Sequence, residues 1–105
     1  MNKQHYTDEF SKGVYQCKHC GAQLFSSHTK FHSGTLWPSF RTALPGAITT
    51  RPDHSFGMVR TEIVCGKCGQ HLGHVFDDGK EYGDTHPEAG QRFCVLSETL
   101  DLKKK

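Results

Sequence analysis

Two short segments of this 105-residue chain carry the same pattern. "YQCKHCGAQLF" (15–25) and "VCGKCGQHLGHVF" (64–76) both read C-x-x-C-G-x-x-L, which two similar hairpin tips would explain. The two-residue spacer lets both sulfurs of a C-x-x-C converge on one ion. Gly21 and Gly69 follow the pairs and readily take the positive φ that such a turn favours. Two knuckles brought together form the closed, tetrahedral four-thiolate arrangement of structural zinc. Cys17, Cys20, Cys65 and Cys68 are therefore the expected ligands, with one zinc ion as cofactor. The 44 residues between the pairs exceed the gap of a compact zinc ribbon, so the ion would join distant parts of the chain. It would supply stability that a small core, drawn from only 34% hydrophobic residues, lacks. Two other readings stand beside this one. Each C-x-x-C could be a thioredoxin-like redox pair, although no βαβ pattern surrounds either. A local site could use Cys65, Cys68, His71 and His74, which would crowd its ligands and leave the first pair idle.

The length suits one domain spanning 1–105, with its core over about 8–100. Strand-like segments rich in β-branched and aromatic residues fall at 13–17, 60–65, 71–76 and 91–100. A weak helix is expected at "TDEFSKG", capped by Thr7 and stopped by Gly13. Residues 26–62 read as loops and short strands, and 77–91 as an exposed loop. The class expected is mainly all-β and antiparallel. The opening "MNKQHYTDEF" has no apolar run, so neither a signal peptide nor a membrane span is expected, and the compartment expected is the cytoplasm. Thirteen Lys and Arg face eleven Asp and Glu; four thiolates with one Zn²⁺ bring the formal charge from +2 to zero. A nucleic-acid partner is not expected on that balance, and the terminal "LKKK" reads as a solvated tail.

Cys94, in "GQRFCVLSET", has no partner in this scheme. If it lies on a strand, the period of two places Arg92, Cys94 and Leu96 on one face and turns Phe93 and Val95 into the core. A guanidinium beside a thiol favours the thiolate, the setting of a nucleophile. The plain alternative is a buried, inert thiol. His71 and His74 lie three apart and would face opposite sides of a regular strand. A bulge at Gly73 could turn both imidazoles the same way. Trp37, held extended by Pro38, could be presented to a pocket, or could simply pack in the core.

Together these residues resemble the methionine-R-sulfoxide reductases of the B type. "CKHCG" and "CGKCG" resemble that family's zinc knuckles, "WPSF" its substrate-side aromatic motif, "HLGHVFDDG" its catalytic histidine motif and "RFCVLS" its nucleophile strand. The resemblance runs from about residue 8 to residue 100. It implies two antiparallel sheets forming a small tent-like barrel, with the zinc away from the active site. Cys94 would be the nucleophile, and His74 with His71 would donate the proton to the sulfoxide oxygen. Arg92 and Asp78 would orient or polarise the site. Trp37, with Phe40 and Leu96, would form the substrate side. The partners implied are oxidised proteins bearing methionine-R-sulfoxide and a thiol reductant such as thioredoxin, with the enzyme a monomer that needs no membrane.

The sequence departs from that pattern at two places. No cysteine precedes "WPSF" apart from the first knuckle, so Cys94 has no second thiol to form an internal disulfide, and an external thiol would reduce its sulfenic acid directly. Leu96 stands where most cysteine-type members carry Asn, so "RFCVL" resembles the selenocysteine branch with sulfur in place of selenium. Two rival classes remain: a zinc-ribbon binding module, and a redox-responsive zinc protein that releases its metal on oxidation.

Overall fold

The computed structural model describes residues 6, 9–35, 37–54, 57, 59–87 and 89–104. Among these residues nine strands run in order: β1 (Gly13–Cys17), β2 (Gln23–Ser26), β3 (Lys30–Phe31), β4 (Ser39–Phe40), β5 (Ile48–Asp53), β6 (Arg60–Cys65), β7 (His71–Phe76), β8 (Arg92–Val95) and β9 (Leu100–Lys104). They form two antiparallel sheets. One has the order β2-β1-β9 and the other β3-β4-β8-β7-β6-β5. No helix among the described residues is long and apolar enough to cross a membrane.

The repeated motif forms two matching turns. In the first, the Cys17 amide donates to the Ala22 carbonyl at 2.8 Å and the Gly21 amide to the Cys17 carbonyl at 2.7 Å. In the second, the Cys65 amide donates to the Gln70 carbonyl at 2.9 Å and the Gly69 amide to the Cys65 carbonyl at 2.8 Å. Gly21 and Gly69 sit at φ 80° and 78°, where an L side chain would be strained. One turn joins β1 to β2 and the other joins β6 to β7, so each sheet contributes one knuckle.

The core lies between the sheets. Alternate residues of β1 turn Tyr15 and Cys17 inward, where they meet Leu24, Phe25, Phe40, Ile63, Leu72, Val95 and Leu100. Phe40 stacks on Phe25 with ring centroids 4.4 Å apart, and Tyr15 meets Phe40 edge-on at 5.1 Å. Phe93 and Val95 are buried in the same cluster, as the alternation along β8 requires.

Three expectations need correction. The strand expected over 91–100 is two strands: β8 ends at Val95, a 3-10 turn occupies Ser97–Thr99, and β9 begins at Leu100 in the other sheet. Lys103 and Lys104 are exposed, as expected, but Leu102–Lys104 are not a free tail, because they belong to β9, which pairs along the whole of β1 with Gly13 opposite Lys104. Gly13 opens β1 and residues 9–12 are not helical; Thr7 and Asp8 lie outside the described residues.

The segment 77–91 is mostly exposed turns, yet Asp84 within it is buried. Arg41 donates to its carboxylate twice, at 3.1 and 3.0 Å, and to the His28 carbonyl at 3.1 Å. Burial by itself would raise the Asp84 pKa, but Arg41 and the His86 amide outweigh it and hold the carboxyl below its ordinary range. The stabilisation is therefore present above the unfolded Asp pKa, about 3.9, and is lost as pH falls through the lower folded value. Arg41→Ala and Asp84→Ala are each expected to cost about 3 kcal/mol, because each leaves its buried partner unpaired. The double variant should cost clearly less than the sum, a coupling that urea unfolding of all four proteins would measure.

Candidate active site and metal centre

The Sγ atoms of Cys17, Cys20, Cys65 and Cys68 lie within 4.8 Å of one another. Cys17 and Cys68 approach to 3.7 Å, and Cys20 and Cys65 to 3.6 Å. Four sulfurs at the zinc–thiolate distance of about 2.3 Å would stand about 3.8 Å apart along a tetrahedron's edges, so the cluster fits a metal ion with an all-thiolate set. Among the described residues no other His, Cys, Asp and Glu grouping could hold an ion. His71 and His74 face carboxylates instead, so the local site of two cysteines and two histidines is not formed. The ion would bridge a knuckle of each sheet, and none of its four ligands lines the cavity described next.

Cys94 opens onto a cavity of about 400 Å³. Strand β8 runs between β4 and β7, with Cys94 opposite Ser39 on one side and His74 on the other. Arg92, Cys94 and Leu96 all line the cavity, as alternation predicts. The Arg92 guanidinium is clamped. It donates twice to Asp78, at 2.8 and 3.2 Å, between the rings of Phe76 and Tyr82, whose centroids are 4.6 and 4.1 Å away. Its effect on the thiol is smaller than the sequence suggests. Burial pushes the Cys94 pKa up; the charge of Arg92 and its hydrogen bond oppose that rise, and the net direction is upward.

The bulge expected in β7 is present. Ile63 pairs with Gly73 and Val64 with His71, so Leu72 is the extra residue. The bulge turns His71 and His74 onto one face, where both line the cavity and their rings lie 5.6 Å apart. Each ring is fixed by a carboxylate, one from the adjacent β6 and one from β5 beyond it. His71 Nδ1 meets Glu62 Oε2 at 2.6 Å, and His74 Nε2 meets Asp53 Oδ2 at 2.7 Å. A carboxylate only accepts, so these nitrogens donate, leaving Nε2 of His71 and Nδ1 of His74 as the acceptors of the neutral rings. Arg51 bridges to Glu62 at 3.3 Å and Arg60 to Asp53 at 3.4 Å. His71 above all, with Arg51 assisting, holds the Glu62 carboxyl below its ordinary range despite partial burial.

Gly73 is fixed by the approach of β8, because a Cβ there would collide with the backbone carbonyl oxygen of Cys94. Gly73→Ala is expected to force β7 and β8 apart at the point where His74 faces Cys94. It should cost about 2–3 kcal/mol, the scale of overpacking a tight site, and turnover should fall with it. Thermal unfolding and an activity assay on the same preparation would check both.

Trp37 lines the cavity and is not part of the core. A set of hydroxyls holds its backbone. The Thr35 and Ser39 hydroxyls donate to the Trp37 carbonyl at 3.2 and 3.3 Å, and Ser33 links the two at 2.8 Å each. Leu96 also lines the cavity. Asp78 acts through Arg92 and is not among the cavity residues. The expected substrate role of Phe40 is corrected: it is fully buried in the core, on the far side of β4 from the cavity wall. Sequence reasoning missed Asp53, Glu62, Phe76 and Tyr82, and also Thr35 and Arg60, which line the cavity.

The sequence matches the SelR domain over residues 1–104. It is 52% identical over 101 residues to the peptide methionine sulfoxide reductase MsrB of Variovorax paradoxus, covering 95% of this chain and 70% of that protein. It is 48% identical over 101 residues to the MsrB of Thiobacillus denitrificans, covering 95% and 72%. Against the MsrB of Methanosarcina mazei it is 47% identical over 95 residues, covering 90% and 64%. Among solved structures, a Mis18 "Yippee-like" domain superposes with a TM-score of 0.67 at 19% identity, over 90% of this chain and 97% of that one, a likeness of fold. The matching domain over nearly the whole length and these close relatives place the chain in the SelR family, the MsrB-type peptide methionine sulfoxide reductases.

Proposed function

We propose that this enzyme reduces the R epimer of methionine sulfoxide, chiefly within polypeptides, with Cys94 as nucleophile and an external thiol such as thioredoxin as reductant. The observation that carries this reading is one cavity lined by Cys94, Arg92, His71, His74 and Trp37. A sulfoxide sulfur is electron-poor and its oxygen electron-rich. The Cys94 sulfur attacks that sulfur once a proton has left the thiol and another has reached the oxygen. The histidine pair can take the first and give the second, since imidazole trades protons near neutral pH. The sulfur–oxygen bond to methionine breaks as oxygen passes to Cys94. Methionine leaves, and Cys94 is left as a sulfenic acid. A thiol then condenses with it, releasing water, and a second thiol reduces the mixed disulfide. The Trp37 face suits the methyl group on the electron-poor sulfur. Arg92, clamped by Asp78, holds charge beside the thiolate. The four-cysteine cluster would hold zinc, which supplies structure and no chemistry at the reacting atoms.

The upward shift of Cys94 makes a pH prediction. Its alkylation rate, which follows the thiolate alone, should rise through pH values above the ordinary thiol range of about 8.5. Arg92→Met removes the opposing charge and should move that limb further alkaline. A limb below the ordinary range in the parent enzyme would mean that Arg92 outweighs burial.

A stereo-resolved assay tests the reading. The purified protein is given the two epimers of a methionine sulfoxide peptide with dithiothreitol. Consumption of the R epimer alone is expected. Consumption of the S epimer, or of neither, would overturn the proposal.

A further inference from the structure

A second cavity, of about 510 Å³, lies beside the one that holds Cys94. Three separate pieces of chain wall it. Lys18 and His19 come from the turn inside the first knuckle, Gln70 follows the second knuckle, and Glu98 and Thr99 belong to the turn after β8. Backbone hydrogen bonds join these pieces to the frame. The Lys18 amide donates to the Thr99 carbonyl at 2.9 Å, and the Gln70 carbonyl accepts from Cys65 at 2.9 Å. His71 and Leu96 line both cavities, so the two spaces meet across that pair. Reduction of a single sulfoxide side chain leaves this second space unused.

We propose that the second cavity is the subsite for the polypeptide flanking the methionine sulfoxide residue, an inference that rests on the Cys94 cavity being the sulfoxide site. When the sulfoxide side chain enters the first cavity, its main chain stays at the mouth and must leave over the rim. The rim at His71 and Leu96 leads into the second cavity. A peptide backbone there alternates N–H donors and carbonyl acceptors. The wall answers both: Lys18 donates, Glu98 accepts, and the Gln70 amide does either. Opposite charges facing one space suit such a chain and do not suit a polyanion. Since two wall pieces belong to the knuckles, the metal cluster orders this subsite as well as the fold.

The test compares two substrates with dithiothreitol as reductant. One is N-acetyl-methionine-R-sulfoxide amide, and the other is a peptide with residues on both sides of the sulfoxide. Lys18→Glu and Glu98→Lys replace exposed side chains. Each is expected to raise KM for the peptide about three- to fivefold, the scale of one exposed charged contact, and to leave the blocked single residue unaffected. That unaltered control also reports an intact fold, and Gln70→Ala should show a smaller change of the same kind. Equal effects on both substrates, or none on the peptide, would overturn the subsite while leaving the reading of Cys94 in place. A further arm replaces dithiothreitol with thioredoxin; a KM change confined to thioredoxin would also overturn the subsite, since it would assign the cavity to that reductant's docking. A parent enzyme that turns over neither substrate overturns the Cys94 reading, and the subsite with it.

Discussion

Cys94→Ser is expected to fold normally and to lose turnover by about 10⁴-fold or more, the scale of removing a nucleophile that acts as part of a unit. The reason lies in where the oxygen goes. Sulfur that takes oxygen from a sulfoxide becomes a sulfenic acid, a known and reversible state. A serine oxygen would have to become a hydroperoxide, with a weak oxygen–oxygen bond, and its hydroxyl is scarcely ionised near neutral pH. The change removes little packing, because the side chain forms a cavity wall while Phe93 and Val95 beside it carry the core contacts. Circular dichroism and metal content should match the parent. The other four cysteines sit together in the metal cluster, so one turnover of the parent without reductant should leave Cys94 one oxygen heavier by mass, with no internal disulfide. Turnover by the serine variant within tenfold of the parent would remove Cys94 from the reaction.

Withdrawal of the metal is expected to unfold the domain. The cluster joins β1 of the smaller sheet to β6 of the larger one through Cys17 and Cys65, both buried. Structural zinc binds with about 10–16 kcal/mol at neutral pH, and a domain of this size has a total stability of roughly 5–15 kcal/mol. Zinc bound on that scale would match or exceed the whole net stability, so little would remain without it. A strong chelator under reducing conditions should abolish the cooperative thermal transition and the near-ultraviolet circular dichroism, and added zinc should restore both. A chelated protein that still melts cooperatively within a few degrees of the parent would show that the sheets hold without the cross-link.

The strands at 13–17, 60–65 and 71–76 were legible because their residues alternate and the knuckles punctuate their ends. The break inside 91–100 was not. "VLSETL" contains no Gly or Pro, and the chain turns because the Thr99 hydroxyl and amide both donate to the Leu96 carbonyl, at 2.7 and 3.0 Å. Of the two carboxylates behind the histidines, Glu62 lies on the expected strand 60–65 but faces His71 only through the bulge in β7, and Asp53 was hidden with β5. Thr49, Thr50, Arg51 and Pro52 make a polar edge strand, and an edge is where a sheet tolerates Pro. Once β5 is placed, the register sets Arg51 opposite Glu62 and Asp53 opposite Arg60, which brings the His74 partner to the site and pairs both carboxylates with arginines. Phe40 was misread because it shares a short motif with Trp37. Proximity in sequence carried both toward the substrate, while β4 turned Phe40 into the core.

The pairing of β1 with β9 also governs when this domain can fold. Gly13 lies opposite Lys104 and Cys17 opposite Leu100, so the smaller sheet closes between two segments more than eighty residues apart in sequence. The strand that carries Cys94, β8, is a late arrival too, and it sits inside the larger sheet between β4 and β7. Local turns such as the knuckles can form early. The larger sheet cannot be completed until β8 at Arg92–Val95 has left the ribosome, nor the smaller until β9 has, and closing so long a loop is the slow step that non-local pairing imposes. Until then, five thiols stand without the structure that separates four of them from the fifth.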